Sequence, residues 1–180
     1  MKAAHHLFSL GGLGLALIAF TLRWWQGVLT TGAEFSLVGT QAEPVAWSMT
    51  LAAGASYTAA LLLRGVVKRV ALGLQAVLAG GAASALLMTT GFPATALERV
   101  IASSTGISGP AALEGLETIV ATGSELFAMF SLSAAAIGGV LGQFGPRNSS
   151  QRDRFSRDTT TFDDSQGAWD SLSDGLDPTT

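Results

Sequence analysis

Four stretches free of Asp, Glu, Lys, Arg and His at their centres organise this chain, and each can cross a lipid bilayer as one helix. A hydrocarbon core about 30 Å thick requires about 20 helical residues, so length alone separates such stretches from the helices of a water-soluble core. The first covers about residues 6–23. It reaches full length by placing His5 and His6 in one headgroup zone and the interfacial anchors Arg23, Trp24 and Trp25 in the other. The second, 44–63, starts at Pro44, whose missing N–H suits the first helical position, with Trp47 as an anchor one turn on. The third, 69–90, follows Lys68 and Arg69 and is closed by Gly91, Phe92 and Pro93. The fourth, about 120–145, ends at Gly145 and Pro146, a helix stop.

Composition supports the bilayer. Hydrophobic residues make up 48% and charged residues 13%, about half the usual charged fraction, so a soluble domain would lack solvating groups. With no cysteine there is no disulfide, thiolate metal site or thiol nucleophile, and the adjacent His5 and His6 cannot hold zinc alone. No metal or other cofactor is expected. The first span could be a signal peptide, but Phe20 to Trp24 offer no small-x-small cleavage pattern and three more spans follow, so it reads as uncleaved.

The basic residues give an orientation. With both termini in the cytoplasm, eight of the ten bases lie inside: Lys2, Arg64, Lys68, Arg69, Arg147, Arg152, Arg154 and Arg157, with only Arg23 and Arg99 outside. The expected fold is therefore all-α: a four-helix transmembrane domain over 1–146 in the plasma membrane, multi-pass, followed by a cytoplasmic tail over 147–180.

Between the first two spans, Gly27 to Thr30 and Phe35 to Val38 are short β-prone runs separated by Thr31 and Gly32, which predicts a small outer β-hairpin. The second outer connection contains a flexible Ser/Gly tract from Ser103 to Pro110 and is expected to become helical again near Ala111, running on into the fourth span. On such a helix Glu114, Glu117 and Glu125 would form one acidic stripe, read as a solvated outer face.

No ionisable acid or base occupies mid-span, which argues against an ion-coupled pump or an intramembrane enzyme. The polar residues that are there, Ser48, Thr50, Tyr57, Thr58, Gln75, Ser131 and Ser133, are expected to hydrogen-bond across helices. Small residues at Gly80, Ser84, Gly138 and Gly142 are helix-packing positions that let backbones approach closely. They serve packing within one chain, which already has enough neighbours, or a homo-oligomer.

The tail is polar and cannot bury a core, so it is expected to be disordered. Residues 147–157 hold four Arg and one Asp, whereas 158–180 hold six Asp and no base. The basic half suits anionic headgroups rather than nucleic acid. Near the end, Trp169, Leu172 and Leu176 recur at helical spacing, and with Asp170, Gly175, Asp177 and Pro178 they form a segment suited to docking in a protein partner's groove.

Four places carry a family likeness: Arg23 and Trp24 after the first span; Val38, Gly39, Thr40 and Pro44 at the second; the inner turn from Arg64 to Arg69; and the tail signature Trp169, Asp170, Leu172, Gly175, Asp177, Pro178, Thr179. In these the chain resembles the actinobacterial tryptophan-associated membrane proteins, often encoded within or beside tryptophan-biosynthesis operons. The resemblance implies a plasma-membrane protein linked to tryptophan metabolism, and it carries over no catalytic residue. Two functions follow as expectations. One is a non-enzymatic accessory or scaffolding protein whose tail docks a cytosolic or membrane partner. The other is a small carrier or channel subunit for an indole-type or other amphipathic metabolite, with Ser48, Thr50 and Tyr57 along its path.

Overall fold

A computed structural model describes residues 4–88 and 93–144. Among them, four helices are long and apolar enough to cross a membrane: α1 (Ala4–Thr21), α3 (Pro44–Leu62), α4 (Gly65–Met88) and α7 (Ser124–Gln143). Their large apolar side chains point outward. Val77 is 70% and Phe130 68% exposed, which water would penalise and lipid solvates. The first span ends two residues short of its expected limit because Leu22 bends the chain and Arg23 already belongs to a strand. The third begins four residues early, since Gly65 at φ +66° lets the chain reverse straight from α3 into α4.

The spans form a bundle whose tightest contacts run α1 to α7, α7 to α4 and α4 to α3. All three contacts are antiparallel. Gly138, late in α7, lies on Ser9, early in α1, and Gly12 lies on Ser131 and Ala135. Gly139 meets Leu72 and Gln75 of α4, while Gly81 faces Met49 of α3. Apolar helix faces gain little from leaving lipid for one another, so this close approach supplies the dispersion contacts that hold the bundle.

One end of the bundle carries a cap built from both long connections. It comprises β1 (Arg23–Leu29), β2 (Glu34–Val38), α2 (Gly39–Ala42), α5 (Ala94–Thr105), α6 (Pro110–Glu114) and β3 (Leu116–Ala121). The expected hairpin is present as β1 and β2, but it belongs to a three-stranded antiparallel sheet of order β2-β1-β3. The expectation of continuous helix from Ala111 into the fourth span is corrected. Gly115 and Gly123, the latter at φ +79°, bracket a β-branched run that pairs with β1, and the span starts at Ser124. Glu114, Glu117 and Glu125 therefore sit on α6, β3 and α7 and form no common stripe.

Pleat alternation gives the sheet two faces. Gln26, Ser36 and Val120 are paired neighbours on the face away from the protein. Leu37 and Phe35 lie on the opposite face, buried with Leu29, Leu97, Ile101 and Ala112. The Phe35 ring lies across its cross-strand partner Gly27, where a Cβ would strike the ring and the Thr118 carbonyl. α5, unexpected from the Ser/Gly tract, buries Leu97 and Ile101 one turn apart and stops at Gly106 in the left-handed region.

Candidate functional site

Inside the bundle the polar side chains are consumed by the protein itself. Thr50, Ser131 and Ser133 donate to the carbonyls of Ala46, Phe127 and Met129, and Ser48 and Thr58 do the same with Pro44 and Gly54, each four residues back on its own helix. The expectation that they bond across helices is thereby corrected. In lipid a hydroxyl finds its nearest acceptor on the preceding turn without reorganising a neighbour. Gln75 has a longer reach and does cross: its Nε2 donates to the Ala135 carbonyl at 2.8 Å, and its Oε1 accepts from Ser9 Oγ at 3.4 Å. Fully buried, Gln75 ties α4 to α7 and α1 in the middle of the apolar layer. No buried side-chain N or O among the described residues lacks a hydrogen-bond partner.

This amide gives a direct check. Gln75→Leu keeps the volume but removes both cross-helix bonds, and the expected cost is about 1 kcal/mol. The shift should appear in the midpoint of SDS-induced unfolding from mixed micelles, and Ser9→Ala, which removes the longer bond alone, should give a smaller one.

The small-residue positions divide. Gly138 and Gly142 both serve contacts within the chain, the first against Phe8 and Ser9, the second against Leu72 and His5. Gly80 has only a loose neighbour, the Ala136 methyl at 3.9 Å, and Ser84 is exposed and bonded to the Gly80 carbonyl. Gly12 and Gly81, small residues of the first and third spans like Gly11 and Gly80, make close contacts, and Gly139, which the Gly138-x-x-x-Gly142 spacing passes over, makes another.

The end opposite the cap is basic. Arg64, Lys68 and Arg69 lie at the α3–α4 turn, alongside the start of α1 and the end of α7. There His6 Nδ1 and the Tyr57 hydroxyl are 2.8 Å apart, closing α1 onto α3. Tyr57 is 4% exposed, so it lines no open path. Arg147, Arg152, Arg154 and Arg157, together with the docking segment Trp169, Asp170, Leu172, Gly175, Leu176, Asp177 and Pro178, lie outside the described residues.

At the capped end the anchors also divide. Trp24 is not an interfacial side chain: it is enclosed by protein, its Nε1 donating to the Ala19 carbonyl at 2.8 Å and its ring tilted against Phe20 at 5.1 Å. The backbone of Gly39 lies against the indole so closely that no side chain fits there. Arg23 is exposed, while Trp25 and Trp47 are half-buried, Trp47 with its ring 5.5 Å from Phe20. Where cap meets bundle, Trp24, Trp25, Leu86 and Met129 wall a small cleft that also borders Glu43 and Glu125. In the sequence Glu43 stands just before the second span and Glu125 in the expected acidic stripe at the entry to the fourth; their shared cleft was not legible.

Among the described residues no group of three or more His, Cys, Asp or Glu is placed to hold a metal ion. What the described residues offer is a bundle whose buried polar side chains are satisfied internally, a structured cap and a basic end.

No curated protein and no solved structure matches the chain significantly. A family profile described as tryptophan-associated transmembrane protein matches residues 6–179, from the first span through the tail signature. With nearly the whole length matched and four apolar spans in place, the chain belongs to the tryptophan-associated transmembrane protein family.

Proposed function

We propose that this membrane protein is a non-enzymatic accessory or scaffolding component associated with tryptophan metabolism, lying in the plasma membrane with both termini in the cytoplasm. Its tail docks a protein partner. The observation that carries this reading is the reach of the family match to residue 179, which takes in the Trp169 to Thr179 signature beyond the last span. The bundle supports it from the other side, because its polar groups are spent on internal hydrogen bonds and the basic turn from Arg64 to Arg69 marks the end that stays inside. The carrier reading has less support. Thr50 and Tyr57 are buried and bonded within the protein, and of the three path residues only Ser48 is exposed.

The test uses full-length protein in native membranes, crosslinked through the tail before mild solubilisation. Changing Trp169 and Leu172 together to Ala removes the apolar stripe, and losing an interface anchor of about 2 kcal/mol corresponds to about a 30-fold drop in affinity. A cytosolic protein recovered with the wild type and lost with the double variant is the expected result. Equal recovery from both, or a reporter fused after Thr180 found outside the cell, overturns the proposal.

A further inference from the structure

We draw no further inference here: the strongest candidate, the outer edge of β3 in the three-stranded cap sheet, carries none, because nothing in the structure shows what covers it.

Discussion

Replacing Gly12 by leucine will separate α1 from α7 and leave little folded protein, whereas Gly11→Ala, one residue away, will be neutral or stabilising. A Cβ at Gly12 would stand 2.6 Å from the Ala135 nitrogen and the Ser131 carbonyl oxygen. These are backbone atoms of a packed helix, so relief requires moving the helix rather than turning a rotamer. Overpacking typically costs about 1–3 kcal/mol even where side chains can adjust, and here the cost for leucine should exceed 3 kcal/mol. Gly138 is the reciprocal position, its Cβ site 2.5 Å from the Ser9 nitrogen. A Cβ at Gly11 or Gly14 meets nothing, and alanine there gains up to about 1 kcal/mol of helix propensity. Unfolding midpoints in mixed micelles should therefore fall sharply for Gly12→Leu and stay level or rise for Gly11→Ala. If both are tolerated, the α1–α7 contact is looser than described.

Trp24→Ala should be the most damaging change in the cap, at about 3–5 kcal/mol, the range for truncating a buried aromatic. The ring is 2% exposed, its N–H donates to the Ala19 carbonyl in the last turn of α1, and Gly39 presses on it from the start of α2. Removing it opens a cavity where helix, sheet and cap core converge. Trp24→Phe keeps part of the packing and loses the hydrogen bond, so an intermediate loss of about 1–2 kcal/mol is expected. Trp25→Ala, half-buried one residue on, should cost less than either. Limited proteolysis will separate local from global effects: cleavage confined to the cap in Trp24→Ala, with the spans still protected by micelle or bilayer, is the expected pattern.

The spans could be read from the chain because lipid imposes one rule over 20 residues at a time, and Arg64, Lys68 and Arg69 or Glu43 and Pro44 mark where it stops. Which helix touches which could not be read. Gly12 and Gly11 are the same residue type side by side, and only the location of α7 makes one a contact and the other a lipid-facing position. The cap was half legible: the alternation of Phe35 and Leu37 and the turn at Thr31 and Gly32 indicate a hairpin locally. β3 did not declare itself, since its partner strand lies about 90 residues earlier and its short run Leu116–Ala121 looks like the approach to an apolar helix. Trp24 misled for a related reason. At a membrane boundary an indole is ordinarily an anchor, and nothing local reports that two connections fold over it. The cleft combines residues from β1, α4, α7 and the residue before α3, so it has no signature in any one window.

The pairing of β1 with β3 and of α1 with α7 makes a seam between elements about a hundred residues apart in the chain. The α3–α4 hairpin is complete within 45 residues of chain, but α1 must wait in the bilayer while the ribosome adds another hundred. During that interval its Gly12 face and the unpaired edge of β1 are open to strangers. This seam thus closes between two distant stretches of the chain, and a nascent chain that stalls before Leu116 leaves the β3-facing edge of β1 unpaired.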